Sequence, residues 1–327
     1  MIVLGIESTA HTFGASVIEN NIVLSNVKNA FTTDSGGMVP AEVAMHHAEI
    51  CDIVIKEAID KSKKKASEID LITFSQGPGL GHCLRIGAIV ARSMSVVLKK
   101  PIIGVNHCVA HLEIGRMLFP DCKDPVLLYA SGANTQVIAY EGGKYRIFGE
   151  TLDNGIGNFL DSFARELSLG FPGGPKIEEL AKLGKNLIEL PYAVKGMDVS
   201  FGGLLTNLKQ KYNSKKYSKE DLCFSLQETA FAMLVEVSER AIAHCEKKEL
   251  LLGGGVACNR RLQEMCRIMC EERDAKCFIP ENQYLVDNAA MIAHLGLLMY
   301  KSGARAKIEK TEILPYERTD DVRVRWR

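Results

Sequence analysis

Two histidines four residues apart, His107 and His111, are the residues whose types and spacing point most directly to chemistry. They follow the apolar stretch Pro101-Ile102-Ile103-Gly104-Val105, and the proline-free run 108–118 reads as a helix after a strand. Positions four apart lie one above the other on a helix, so the two imidazoles are presented to the same point in space. Such a pair begins a zinc or iron site, and a distant carboxylate or phenol can supply a further ligand. Asp287, which opens the helical run Asp287-Asn288-Ala289-Ala290-Met291-Ile292-Ala293-His294, is the oxygen ligand in that reading. As plain structure it is a helix cap, and the histidines are two satisfied rings on a helix face. The residue after His107 is Cys108, so the glutamate of a helical zinc protease is missing.

The second chemical signal is a set of small, polar or glycine-rich turns at strand ends. Glu7-Ser8-Thr9-Ala10-His11-Thr12 separates strands at 2–6 and 13–18, and Ser131-Gly132-Ala133-Asn134-Thr135-Gln136 separates strands at 126–129 and 137–140. Turns of this kind close around a phosphate with backbone N–H and hydroxyl donors, or are ordinary polar hairpins. Ser75-Gln76-Gly77-Pro78-Gly79-Leu80-Gly81 and Gly253-Gly254-Gly255 each lie between a strand and a helix. Both allow close backbone approach to an anion or tight helix packing, and neither matches the Walker A or dinucleotide pattern. Asp161 and Glu178, on helices after Gly155-Ile156-Gly157 and Gly173-Gly174-Pro175, can grip sugar hydroxyls or stand in solvent.

The elements that position these residues come in two matching series. The first half reads strand, strand, strand (22–28), helix (40–59, after a loop at 36–40), strand (69–74), helix (84–98), strand (102–105), helix. From about residue 124 three strands with a polar turn and a glycine hairpin repeat the opening, followed by a helical stretch, a strand at 249–252 and another at 277–279. The topology is duplicated and the sequence is not. This predicts an α/β protein with mixed sheets: an N-terminal lobe at 1–123, and a C-terminal lobe at 124–327 with a helical insertion at about 155–245. The last helix is free to pack back on the first lobe. His46 and His47, on the helix at 40–59, are expected to be satisfied structurally.

The chain has 327 residues, 40 Lys plus Arg against 40 Asp plus Glu, and 46% hydrophobic residues, enough for two cores. Zero formal charge gives no global pull toward nucleic acid, so such a partner needs a local patch or other subunits. The basic tail, with Arg305, Lys307, Arg318, Arg323, Arg325 and Arg327, is a nucleic-acid contact or a solvated terminus. Ten cysteines without a CxxC pair suit reduced thiols in a cytosolic compartment. No uncharged apolar run approaches transmembrane length and the N-terminus is not a signal peptide, so no membrane partner is expected.

Taken in order, Ile6-Glu7-Ser8-Thr9-Ala10-His11-Thr12-Phe13-Gly14, His107-Cys108-Val109-Ala110-His111, Tyr129-Ala130-Ser131-Gly132-Ala133-Asn134-Thr135-Gln136, Met197-Asp198-Val199-Ser200-Phe201, Gly254-Gly255-Val256-Ala257-Cys258-Asn259 and the run from Asp287 resemble a known motif series. It is that of the universal tRNA threonylcarbamoyladenosine transferases, most similar to the archaeal and eukaryotic catalytic subunit of the KEOPS complex, formerly called an O-sialoglycoprotein endopeptidase. The resemblance covers nearly the whole chain. It implies a duplicated actin-like, Hsp70-like and sugar-kinase-like (ASKHA) fold. It also implies a metal-dependent acyl transfer of threonylcarbamoyl from threonylcarbamoyl-adenylate to N6 of adenosine 37 in tRNAs reading ANN codons.

By the same resemblance His107, His111, Tyr129 and Asp287 hold one iron or zinc ion, and His107, His111 and Asp287 serve catalysis through it. Ser131, Gly132, Ala133 and Asn134 line the adenylate phosphate and acyl group beside Tyr129. Asp161, Gly174, Glu178, Gly254, Gly255 and Asn259 hold the nucleoside part, and ATP or its analogues enter the same pocket. The implied partners are tRNA, a small kinase-like ATPase, a small dimerising subunit and an accessory subunit of KEOPS, with a separate synthase supplying the adenylate. The implied location is the cytoplasm, and also the nucleus if the source is eukaryotic. The chain departs from the family at Ala133, where a second glycine is usual, and at Gly202, where serine is usual. An ATPase or small-molecule kinase of the same fold and a non-enzymatic nucleotide-binding scaffold are the competing readings.

Overall fold

The computed structural model describes residues 1–34 and 38–327. Gly36 and Gly37, part of the loop expected at 36–40, lie outside the described residues. The first sheet contains β1 (Ile2–Glu7), β2 (Thr12–Glu19), β3 (Ile22–Ala30), then, after α1 (Pro40–Ser62), β4 (Leu71–Gly77), and after α2 (Gly81–Leu98), β5 (Ile102–Asn106). α3 (His107–Leu118) follows β5 without a linker. Its strand order is β3-β2-β1-β4-β5, with the first three antiparallel and β1, β4 and β5 parallel. β1 has every residue buried, as expected of a central strand covered on both faces.

The second sheet contains β6 (Val126–Ala130), β7 (Thr135–Glu141) and β8 (Lys144–Glu150). Then come α4 (Ile156–Glu166), α5 (Gly174–Ala181), a small ribbon of β9 (Val194–Lys195) and β10 (Asp198–Val199), α6 (Gly202–Asn213) and α7 (Lys219–His244). β11 (Glu249–Gly253), α8 (Arg260–Glu272), β12 (Lys276–Phe278), α9 (Asn282–Leu285) and α10 (Ala289–Lys301) complete it. The order β8-β7-β6-β11-β12 repeats the first sheet strand for strand. The duplication expected from the succession of elements is therefore present in the hydrogen-bonded order as well.

Three apolar cores follow from this plan. One joins β1, β2 and β4 to α1 and α2 through Leu4, Ile6, Phe13, Val54, Ile72, Phe74 and Ala88. Another fills the second lobe under α4 to α8. The third lies between the sheets, where α3 and α10 form a shared layer through Val109, Leu112, Leu127, Leu251, Met291 and Leu295. Every residue from His107 to Gly115 and from Ala289 to Leu297 is buried, so these two helices are enclosed on all sides. Side chains on them are held by packing before any ligand arrives.

Three segments singled out in the sequence have defined places in the fold. Over its eighteen residues α2 is long and apolar enough, by length and composition, to cross a membrane, although Arg85 and Arg92 lie within it. It packs one face on β4 and α1, and Arg92 donates to Thr311 Oγ1 at 2.9 Å. The turn 75–81 packs closely on the β1–β2 turn: Leu80 N donates to Thr9 O at 2.8 Å, and a Cβ on Gly79 would lie 2.6 Å from the same oxygen. The basic tail is tied to the body where Arg318 pairs with Glu150 at 3.3 Å and Arg327 with Asp124 at 3.1 Å, while Arg323 and Arg325 are exposed.

Candidate metal centre and substrate cleft

α3 starts at His107 because Asn106 caps it, its Oδ1 accepting from Val109 N–H at 3.1 Å. One turn apart, the rings of His107 and His111 have centroids 4.9 Å apart and planes 79° apart. Asp287, between α9 and α10, brings Oδ1 to 3.2 Å from His107 Nε2 and 3.5 Å from His111 Nε2. Asp287 does not cap α10; Asn288 does, accepting from Met291 N–H at 3.1 Å, which leaves the aspartate to face the histidines. One ligand-capable atom from each of the three lies within 4.8 Å of the others. Tyr129, buried at the end of β6, stands beside them with its ring 5.0 Å from that of His111 and 6.3 Å from that of His107.

Sequence reading missed Glu7 as the partner of His107. The carboxylate ends the buried strand β1 and is itself wholly buried. Its Oε2 lies 3.0 Å from His107 Nδ1, and its Oε1 accepts from Thr9 N at 2.6 Å and Thr9 Oγ1 at 2.5 Å. With Nδ1–H donating to Glu7, Nε2 is the nitrogen that faces Asp287. The available signal was a carboxylate closing an apolar central strand, a place where an unpaired charge is not tolerated.

The electrostatics differ between the two rings. Burial disfavours a charged His107, but Glu7 and Asp287 outweigh it and hold the pKa well above the usual histidine value. Burial dominates at His111 and lowers its pKa, although Asp287 opposes the shift. Burial also works against a charged Asp287, and His107 and His111 overcome it to hold the pKa well below the usual range. Burial raises the Tyr129 phenol well above its ordinary value.

His111 carries the test of fit for a cation. Both of its ring nitrogens are buried and neither has a hydrogen-bond partner among the described residues. An imidazole offers a lone pair on one nitrogen, and a buried lone pair facing a carboxylate with nothing between is unfavourable unless an electrophile stands there. Two imidazoles, a carboxylate and a nearby phenol form a donor set suited to zinc or iron, so the residues fit the group.

The β6–β7 turn lies beside this cluster, with Asn134 Nδ2 4.0 Å from Cys108 Sγ. Ser131 N–H donates to Asn134 O, while Gly157 N–H and Asn158 N–H donate to Ser131 O and Gly132 O at 3.0 and 2.9 Å. Those bonds fix the turn through its carbonyls and leave the N–H groups of Gly132, Ala133 and Asn134 without an acceptor among the described residues. Gly254, at φ +91°, lies so close under Ala130 O that a Cβ would collide with it. Gly255 then starts the short helical turn Gly255–Cys258.

The remaining proposed nucleoside contacts gather where α4, α5 and α8 meet. Asp161 Oδ1 accepts from Gly173 N–H at 2.7 Å at the entrance to α5, whose first residue is Gly174. Burial raises its pKa despite that bond. Glu178 Oε1 accepts from Arg260 N–H at 3.1 Å, and Asn259 caps α8 while its Nδ2 donates to Gln227 Oε1 at 2.7 Å. The structure thus groups these residues and gives the Asp161, Glu178 and Asn259 side chains structural bonds. At Gly202, backbone N–H donates to Asp153 Oδ2 at 2.7 Å, and an added Cβ would sit 2.9 Å from the same oxygen. Ala133 leaves the free N–H groups of its turn in place.

Comparison with known proteins agrees with this architecture. A family profile described as tRNA N6-adenosine threonylcarbamoyltransferase matches residues 21–294. A protein of that name from Thermococcus kodakarensis is 56% identical over 326 residues, covering 100% of both chains. A probable bifunctional tRNA threonylcarbamoyladenosine biosynthesis protein of Methanocaldococcus jannaschii is 53% identical over 327 residues, covering 100% of this chain and 60% of its own length. Among solved structures, HypF of T. kodakarensis superposes with a TM-score of 0.65 at 15% identity, covering 92% of this chain and 48% of its own. The activator of the 2-hydroxyisocaproyl-CoA dehydratase of Clostridium difficile, with bound ADPNP, superposes with a TM-score of 0.52 at 10% identity, covering 94% and 99%. At such identities these two structures speak for the ASKHA-like fold alone. By profile and by full-length identity, the chain belongs to the tRNA N6-adenosine threonylcarbamoyltransferase family.

Proposed function

We propose that this protein transfers the threonylcarbamoyl group from threonylcarbamoyl-adenylate to N6 of adenosine 37 in ANN-reading tRNA, and that it does so as a metal-dependent enzyme. The observation that carries the metal part is His111, whose two buried nitrogens have no hydrogen-bond partner among the described residues while Asp287 and His107 face the same space. His107, His111 and Asp287 would hold an iron or zinc ion, with Tyr129 as the fourth protein ligand. When bound, the ion supplies Lewis-acid polarisation of a substrate oxygen or orients the threonyl carboxylate.

The chain's own residues do the rest. The substrate is a mixed anhydride with AMP as a good leaving group, so no covalent protein intermediate is required. N6 forms a bond to the carbamoyl carbon, the bond from that carbon to the phosphate oxygen breaks, AMP departs and N6 loses a proton. The N–H groups of Gly132, Ala133 and Asn134, without an acceptor among the described residues, would receive the phosphate and the developing negative charge. Asp161, Glu178 and Asn259, with Gly174, Gly254 and Gly255 giving close backbone approach, hold the nucleoside. Enclosure of α3 and α10 keeps the reacting groups oriented.

Zero formal charge supports a division of labour in which tRNA is held jointly with other subunits. We take these to be the kinase-like ATPase, the dimerising and the accessory subunits of a KEOPS assembly in the cytoplasm, with a separate synthase supplying the adenylate. The test is transfer of labelled threonylcarbamoyl from its adenylate to ANN-decoding tRNA with purified partners, alongside metal analysis. The wild type is expected to carry about one metal ion per chain and to label tRNA; His107→Ala/His111→Ala is expected to do neither. Equal transfer by a metal-free double variant would make the histidines structural. ATP turnover without transfer, in both proteins, would favour the ATPase or kinase reading.

A further inference from the structure

The segment after α10 crosses the molecule and touches α3 at both ends. Arg92 holds Thr311, Gln76 Nε2 donates to Glu312 O at 2.6 Å, and Leu314 N–H donates to Gln76 O at 2.7 Å, all in the first lobe. Asn106 Nδ2 then donates to Glu317 Oε2 at 2.9 Å. Beyond it, Arg318 and Thr319 reach Glu150 and Gln136 on the second sheet, and Trp326 Nε1 donates to Glu113 Oε1 at 2.7 Å near the far end of α3.

The Glu317 contact decides which way the Asn106 amide faces. Asn106 caps α3 only while Oδ1 points to Val109 N–H, and the other half of the amide is a donor. A carboxylate on that side accepts from Nδ2 and would repel Oδ1, so Glu317 locks the capping orientation. His107 is the next residue, the first of the helix. We propose that Glu317 is a positioning residue of the metal centre, acting from the C-terminal strap through Asn106 to set the first turn of α3 and hence His107. This rests on the metal reading above and assigns a part to a residue more than two hundred positions away in the chain.

The experiment titrates metal-free protein with Co2+, reading affinity and the visible d–d bands, and measures amide hydrogen exchange at Val109 in the same variants without metal. Glu317→Ala should bind Co2+ about tenfold more weakly with altered bands, the usual scale for losing an outer partner of a ligand. It should also speed Val109 exchange. Glu317→Gln keeps an acceptor for Nδ2 and should restore both readouts. Asn106→Asp still offers a capping oxygen to Val109 N–H whichever way it turns, and should keep wild-type exchange there. The pair Asn106→Asp/Glu317→Gln, with the amide now on the strap, should match it. Arg318→Ala, which removes the strap's contact with Glu150 and leaves Glu317 in place, controls for loosening of the tail and should leave Co2+ binding unchanged.

The proposal is overturned if Glu317→Ala keeps wild-type Co2+ affinity and exchange, or if Arg318→Ala weakens Co2+ binding equally. If the wild type binds no Co2+ at the histidines, the metal reading fails instead. The positioning claim is then judged on Val109 exchange, which Glu317→Ala must accelerate and Glu317→Gln must not.

Discussion

At the scale of single residues, Glu7 has the most specific role that can be isolated. Its Oε2 fixes the Nδ1 proton of His107, and its Oε1 is saturated by Thr9, so the carboxylate is held as rigidly as the ring it orients. Glu7→Gln preserves shape but replaces an acceptor-only group with one that is half donor. The expected outcome is a zinc affinity about 10–100-fold weaker by calorimetric titration, with an unchanged circular dichroism spectrum. Wild-type affinity in Glu7→Gln would mean that Thr9, 3.2 Å from the same nitrogen, orients the ring unaided. Neither partner was legible from sequence as such, because the pairing joins positions 7 and 107 through the parallel register of β1, β4 and β5. The i,i+4 spacing of His107 and His111 was legible, since a helix alone enforces it.

Between elements, what matters most is how closely α10 lies on β1. Gly5 has no side chain, and a methyl there would run into Ala289 O and lie 2.7 Å from Ala293 N and 2.9 Å from Ala293 Cβ. That contact sets the height of α10 over the first sheet and, two residues before Ala289, the position of Asp287. Gly5→Ala is therefore expected to push the start of α10 outward, costing roughly 1–3 kcal/mol by urea denaturation. Metal affinity should fall with it, whereas Gly203→Ala, where a Cβ meets nothing within 4 Å, should change neither. Strand and helix identities here were readable because apolar runs and polar turns alternate cleanly along both halves. The strand orders, the sandwiching of α3 and α10, and the strap from Thr311 to Arg327 were not, since each is a long-range packing outcome that local periodicity does not encode. The same limit explains why the tail could not be placed from sequence: Glu150 and Asp124, the carboxylate partners of Arg318 and Arg327, lie far away in the chain.

For the molecule as a whole, the enclosed layers hold two histidines that must stay neutral. His47 is buried where α1 meets the β1–β2 turn, with Nε2 2.9 Å from Ala10 O. His294 is buried on α10, and its Nδ1 has no partner among the described residues. Burial is the main cause in each case and pushes both from 6.5 to about 4. A folded pKa below the unfolded one means that the unfolded chain binds more protons between those values. The stabilisation is therefore complete above about pH 6.5 and is lost progressively as the pH falls toward 4. At pH 5 each histidine should cost about 2 kcal/mol relative to pH 7.5, by urea denaturation at the two values. His47→Gln and His294→Gln should each remove about that much of the pH dependence, and the double variant about twice as much. Comparing variants with wild type separates these groups from His107 and His111, which titrate in both. A double variant with the full wild-type pH dependence would place the acid sensitivity elsewhere in the molecule.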